Sequence, residues 1–248
     1  MDNIKEYFAH DTHSYMYCAD GTFSDYIFSL IKDLVADDLR QFANVFELGA
    51  GMGRFSFALV SNFPHIWLIE PSPAYAETIT RLFINENNGK TGGKVTIVNS
   101  TMEEFLQTHE VPEKSIVFCF HLLHHLTCEQ RKELFTCIAE INAPAVFVEP
   151  NPLNPFIILQ LLVYRDMRMR DEFQYITLTR KKLSQELNAC GLSVVTHDKL
   201  CFLPPPIARF ALKMPALEKP MRFLDKLRWA IPVMGSYQMF YCKRSNKT

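Results

Sequence analysis

Short apolar runs recur along the chain, each closed by a turn signal and followed by residues whose apolar members fall three or four apart. Val45, Phe46 and Leu48 form the first such run; glycines alternate to Gly53, and Phe57, Leu59 and Val60 open a helical pattern. That is strand, turn, helix. Upstream, Ile27, Leu30, Ile31, Leu34 and Val35 make a helical stripe, with Ser24 as its expected cap. Downstream, Ile66 to Ile69 read as a second strand, Pro71 to Pro73 as a turn, and residues 74 to 85 as a helix. Residues 87–93 are a loop by composition, Val95 to Val98 a third strand, and a short helix begins at Glu103. A fourth strand covers Ser115 to Phe120; Thr127 and Gln130 then spell a capping box. Ala145 to Glu149 make a fifth strand. A helix from Thr179 is stopped by Gly191, residues 192–197 are a sixth strand, and Tyr237 to Cys242 a last one. Five strands alternating with helices, then two strands separated by a longer excursion, predict a doubly wound α/β sheet in one domain over residues 1–248.

Composition supports a large core: 48% of the residues are hydrophobic and 21% charged, with a net charge of -1. A nearly neutral chain argues against a nucleic-acid partner. The balance hides an asymmetry, because nine Lys or Arg follow Pro204 against only Glu218 and Asp225. The seven cysteines, at 18, 119, 128, 137, 190, 201 and 242, contain no C-x-x-C pair and read as reduced thiols of a cytoplasmic protein. The N-terminus lacks a basic-then-apolar signal pattern, and the run Phe156 to Tyr164, broken by Gln160, is too short to span a bilayer. Residues 1–23, with Tyr7, Phe8, His10, His13, Tyr15 and Tyr17, form an N-terminal arm.

The chemistry centres on the first turn. A dinucleotide fingerprint needs a third glycine where Arg54 stands, and a phosphate loop needs Gly-Lys from that same position. What remains is E-x-G-x-G-x-G, with Glu47 followed by Gly49, Gly51 and Gly53, and the second strand ends in Glu70. The pattern resembles motif I of the class I S-adenosylmethionine-dependent methyltransferases, in their small-molecule, ubiquinone-methyltransferase-like branch. The resemblance implies a seven-stranded, mostly parallel sheet of order 3-2-1-4-5-7-6 with the last strand antiparallel. It also implies S-adenosylmethionine as cofactor, its methionine part over Gly49, Ala50, Gly51 and Gly53 and its ribose hydroxyls on Glu70 beside Pro71. Residues after the third strand contact adenine in that family, often through an Asp; here the positions hold Ser100, Thr101 and Met102.

Ligands of open α/β sheets bind outside the carboxyl ends of the strands near the switch point, which puts Phe120 and His121 at the methyl group. His121 is the first candidate base and His124 the second, in a His121-x-x-His124-His125 run whose like is frequent in the family. A related E-x-x-E-H pattern binds a divalent metal in some members, so His121, His124 and His125 with Glu149 form an alternative metal set. Two insertions, 151–176 and 202–234, are expected to build a helical lid over the acceptor. Their apolar residues point to a small or lipid-like acceptor, methylated most readily at a hydroxyl oxygen. The basic C-terminal region also suits peripheral contact with an anionic membrane. The N-P-P-Y signature of amino-group methylators is absent after the fourth strand, and Asn151-Pro152-Leu153-Asn154-Pro155 follows the fifth. A cofactor-binding regulatory subunit without turnover is the alternative function.

Overall fold

The computed structural model describes residues 21–85, 94–156, 159, 176–227, 230–231 and 233–245. The expected arm up to residue 20, the loop 87–93, most of the 151–176 insertion, Cys18 and Trp229 lie outside the described residues.

In chain order the elements are α1 (Thr22–Leu39), β1 (Asn44–Leu48), α2 (Ser56–Asn62), β2 (His65–Ile69), α3 (Pro73–Thr80), β3 (Lys94–Val98), α4 (Met102–Thr108) and β4 (Ser115–Phe120). There follow α5 (Cys128–Glu140), β5 (Ala145–Pro150), α6 (Arg180–Ala189), β6 (Leu192–Leu200), α7 (Pro205–Leu212), α8 (Pro215–Lys226) and β7 (Tyr237–Arg244). The strands form one seven-stranded sheet of order β3-β2-β1-β4-β5-β7-β6, the order expected. Strands β1 to β5 pair in parallel, and β7 runs antiparallel to both β5 and β6.

Strand residues alternate between two apolar layers. Val45, Ile66, Leu68, Ile116, Phe118 and Phe120 face the layer of α1 and α2; Phe46, Leu48, Val117, Cys119 and Phe147 face that of α4 and α5. Covering both faces is what makes the parallel strands read as unbroken apolar runs. The six described cysteines are free thiols, and Cys119, Cys201 and Cys242 are buried as small hydrophobes.

Several local expectations change. Ser24 does not cap α1: Gly21 holds the N-cap position at φ 68°, and the Ser24 hydroxyl donates back to the Gly21 carbonyl at 2.8 Å. The helix expected over 74–85 ends at Thr80 and continues as a π turn, Arg81–Asn85. Strand β6 runs on to Leu200, because Asp198, Lys199 and Leu200 pair with Met239, Gln238 and Tyr237. The capping box of Thr127 and Gln130 forms as expected, and Gly191 takes φ 84° past the end of α6.

The described part of the 202–234 insertion is helical. It is pinned to the domain by Asp225, which accepts from the Tyr26 hydroxyl and, at 3.0 Å, from the Phe202 amide. No described helix is long and apolar enough to cross a membrane.

Candidate active site

Three backbone conformations shape the turn after β1: Gly49, Gly51 and Gly53 have φ of 66°, 55° and 88°. Side chains are doubly excluded at two of them. A Cβ on Gly49 would stand 2.7 Å from Leu122 Cδ1, and one on Gly53 would stand 2.6 Å from Phe83 Cε2. The amide of Gly49 donates to the Ile69 carbonyl at 2.9 Å, which ties the turn to the end of β2.

Glu70 follows on β2 and completes that junction. Its two carboxylate oxygens accept from the amides of Gly51 and Ser72, each at 2.8 Å, so the acid and the glycine turn are one unit. Burial pushes the Glu70 carboxyl up, and the two N–H donors pull it back. Among the described residues no cation pairs with it, which leaves it free to accept from further hydroxyls. Glu47 points elsewhere. It is 2% exposed beneath the turn, accepts from the Ser56 hydroxyl at 2.5 Å, and has its pKa pushed up to about 8, first by burial.

Beyond β3, Thr101 caps α4: its hydroxyl accepts from the Glu104 amide at 3.3 Å, and its own amide donates to Glu104 Oε2 at 2.9 Å. Met102 is buried and Pro71 exposed next to Glu70. Ala50 is buried within the glycine turn.

At the end of β4, Phe120 stacks on Phe55 with ring centroids 4.6 Å apart. The chain then turns sharply at His121, which adopts φ 55°, a left-handed conformation unusual for a residue with a side chain. Its amide donates to the Val148 carbonyl at 2.8 Å, and its ring lies 4.7 Å from Tyr237 and 5.3 Å from Phe55. The Nε2 atom is out of reach of solvent and has no hydrogen-bond partner among the described residues. Burial holds the His121 pKa well below the usual imidazole range, and the nearby Arg54 charge adds to that.

His124 is held differently. Its Nδ1 lies 2.6 Å from Glu149 Oε2, and the other Glu149 oxygen accepts from the Leu123 amide at 2.7 Å. Arg131 holds the segment from the far side, donating to the Leu126 carbonyl at 2.7 Å while Glu186 grips it at 2.8 and 3.0 Å. The His run is therefore a short 3-10 turn, Leu123–His125, clamped at both ends. The alternative metal set is not realised: among the described residues no three His, Cys, Asp or Glu side chains are arranged to hold an ion. Glu149 is engaged in the clamp, and the His125 ring lies tilted, 4.0 Å from that of His124.

Sequence reasoning missed the other walls of this region. Arg54 lies 5.2 Å over Phe55, and Arg209 from α7 lies 4.8 Å over Phe23 from α1. Glu149 already stood out as the charge that closes the apolar run of β5; Arg131, set among polar residues, and Tyr237 and Phe23 carry no local signal. The Asn-Pro-Leu-Asn-Pro stretch has a structural task. Asn151 and Asn154 donate to the Gly235 carbonyl at 2.7 and 3.1 Å, fixing the turn that leads into Tyr237.

Residues 45–145, which contain the glycine turn, Glu70 and the clamped His run, match the family described as a methyltransferase domain. The chain thus carries a methyltransferase domain, on a sheet with the strand order of the class I S-adenosylmethionine-dependent fold. No curated protein matches this methyltransferase in sequence. Solved structures match its fold. The magnesium protoporphyrin IX methyltransferase of Synechocystis PCC 6803, solved with S-adenosylhomocysteine, is 13% identical with a TM-score of 0.61, covering 98% of this chain and 99% of that one. The plantazolicin methyltransferase BpumL, also solved with S-adenosylhomocysteine, is 11% identical with a TM-score of 0.60, covering 98% and 94%. The cyclopropane synthase MmaA2 of Mycobacterium tuberculosis is 10% identical with a TM-score of 0.54, covering 95% and 100%. Such identities establish a shared fold.

The residues of this methyltransferase fit its cofactor. Glu70 offers a buried carboxylate without a cation, suited to a ribose diol, and the turn beside it is built from positive-φ glycines that admit close approach to the main chain.

Proposed function

We propose that the enzyme methylates a small or lipid-like, largely apolar acceptor at a hydroxyl oxygen, with His121 as the base. The observation that carries this reading is the buried, unpartnered Nε2 of His121, at the carboxyl end of β4 where the fold places its reacting groups. Among the structural neighbours, those named for plantazolicin and magnesium protoporphyrin IX support a small-molecule acceptor.

The bound cofactor supplies a methyl group already activated on a positive sulfur, so the protein mainly aligns and desolvates the acceptor. Gly49, Ala50, Gly51 and Gly53 would hold the methionine part, Glu70 the ribose, with Pro71, Thr101 and Met102 around the adenosine. Glu47 supports the turn from below through Ser56. His121 Nε2 would take the proton that the acceptor hydroxyl gives up on methylation. A lowered pKa keeps His121 neutral, and therefore able to accept, throughout the neutral range. Phe120 and Phe55 line the approach with apolar surface. His124 acts through its bond to Glu149, which fixes the turn carrying His121.

Calorimetric titration with S-adenosylhomocysteine, beside Glu70→Ala, tests the cofactor assignment; micromolar binding lost in the variant is expected. Transfer of labelled methyl to lipid and metabolite extracts then tests turnover. In that assay His121→Asn should lower kcat and leave S-adenosylhomocysteine affinity in place. An N-methylated product, or full activity in His121→Asn, would overturn the assignment of the base. Cofactor binding with no transfer to any fraction would favour a regulatory subunit.

A further inference from the structure

Helices α7 and α8 present two opposed faces. Inward, Ala208, Ala211 and Met221 are buried, and Asp225 anchors the pair to α1 through Tyr26. Outward stand Phe210 and Phe223, the most exposed large apolar side chains among the described residues at 65% and 63%, with Ile207 and Met214 beside them. Phe223 lies two positions past Met221 and Phe210 two past Ala208, about 200° of helical rotation, so each Phe points away from the core. The inner contacts hold these helices in place without the outer residues, whose exposure therefore has no structural purpose.

Charge around the two rings is one-sided. Lys213 lies three residues past Phe210; Lys219 and Lys226 lie four before and three after Phe223, and all three lysines are exposed. Of the two acids in the segment, Asp225 is buried and Glu218 is ion-paired with Arg222 at 3.2 Å. Among the described residues no acid pairs with Lys213, Lys219 or Lys226. A second copy meeting this face would bring like charges together, which disfavours self-association. Aromatic rings flanked by lysines with long alkyl stems match the boundary between headgroups and acyl chains of an anionic bilayer.

We infer that the outward face of α7 and α8 docks the enzyme on an anionic lipid bilayer, with Phe210 and Phe223 entering the headgroup boundary and Lys213, Lys219 and Lys226 lying along the phosphates. The inference rests on the reading of an apolar, lipid-like acceptor. Helix α7 follows the carboxyl end of β6, the sheet edge that carries the glycine turn and His121, so docking places the acceptor side next to the bilayer.

Co-sedimentation with vesicles tests this, using phosphatidylcholine alone and phosphatidylcholine mixed with phosphatidylglycerol. The full chain should bind the mixed vesicles, ignore the neutral ones, and release as salt is raised to about 0.5 M. Replacing Lys213, Lys219 and Lys226 together by Ser should weaken partitioning on the order of a hundredfold, from about fivefold per lysine. The pair Phe210→Ser and Phe223→Ser should weaken it at least about tenfold. Circular dichroism and S-adenosylhomocysteine binding should stay unchanged in both variants, since neither touches the core or the turn. Equal binding to neutral and anionic vesicles, no binding to either, or full binding by both variants would overturn the inference. So would a wild-type dimer that the Phe variant converts to monomer, since a second copy would then cover the face. Failure of S-adenosylhomocysteine binding with vesicle binding intact would instead overturn the enzymatic reading and leave the docking standing.

Discussion

Glu47 links the chemistry of the cofactor turn to stability in a measurable way. The acid is 2% exposed, bonded to Ser56, and its pKa is pushed up to about 8 from 4.5 by burial, with the Glu70 charge adding to the shift. In the unfolded chain it ionises near its ordinary value; in the folded one it keeps its proton to about pH 8. A raised folded pKa gives stability that is complete below the unfolded pKa and lost as pH rises toward the folded one. The slope is about 1.4 kcal/mol per pH unit, so Glu47 alone should remove on the order of 4 kcal/mol between pH 5 and 8. Glu47→Gln keeps the size and an oxygen for Ser56 but cannot ionise. Urea unfolding of both proteins at pH 5, 6.5 and 8 isolates the effect, because every other titrating group cancels in the difference. The variant should match the wild type at pH 5 and exceed it progressively above. A stability difference that stays constant from pH 5 to 8 would refute the argument and mean that Glu47 is ionised in the fold.

Three further outcomes follow from the geometry. Gly53→Ala adds a Cβ 2.6 Å from the buried Phe83 ring at φ 88°, which should cost about 2–4 kcal/mol of stability in urea unfolding from overpacking and left-handed strain. Arg131→Met leaves Glu186 and the Leu126 carbonyl without their partner; about 3 kcal/mol of destabilisation, together with a lower kcat, is expected by chemical unfolding and methyl-transfer assay. His197 has its pKa lowered to about 4, chiefly by burial, so its stability contribution is present above pH 6.5 and lost as pH falls toward 4. Allowing for solvent screening, His197→Gln should flatten the acid limb of the stability profile by about 1–2 kcal/mol.

The sheet was legible because its signals are local. Each strand is an apolar run closed by Gly, Pro or a polar cluster, and the spacing between runs leaves room for a crossover helix. Glu47, the glycines and Glu70 were legible for the same reason, since a turn and the next strand end share one stretch of chain. Errors arose where partners come from afar. Ser24 looks like a cap, but the positive φ of Gly21 starts α1 earlier. Asp198 and Lys199 look like a loop, yet ladder bonds to β7 draw them into β6. Asn151 and Asn154, rightly not read as a catalytic motif, hold the turn into Tyr237, about 80 residues downstream, a task that nothing nearby announces.

The same distinction separates what the family determines from what this chain adds. The matched region ends at residue 145, so it contains the cofactor turn, Glu70 and His121, but none of Asn151, Arg209 or Tyr237. Two of these nevertheless bear on the His121 neighbourhood: Tyr237 packs against its ring, and Asn151 fixes the turn from which Tyr237 starts. Arg209 arrives on the helix that carries the exposed Phe210. On the proposed reading, acceptor choice and surface docking share one segment, tied to α1 through the buried contact between Tyr26 and Asp225. A change that loosens this anchor should alter the acceptor site and the outer face together while the glycine turn, built entirely from β1, α2 and β2, keeps its cofactor geometry.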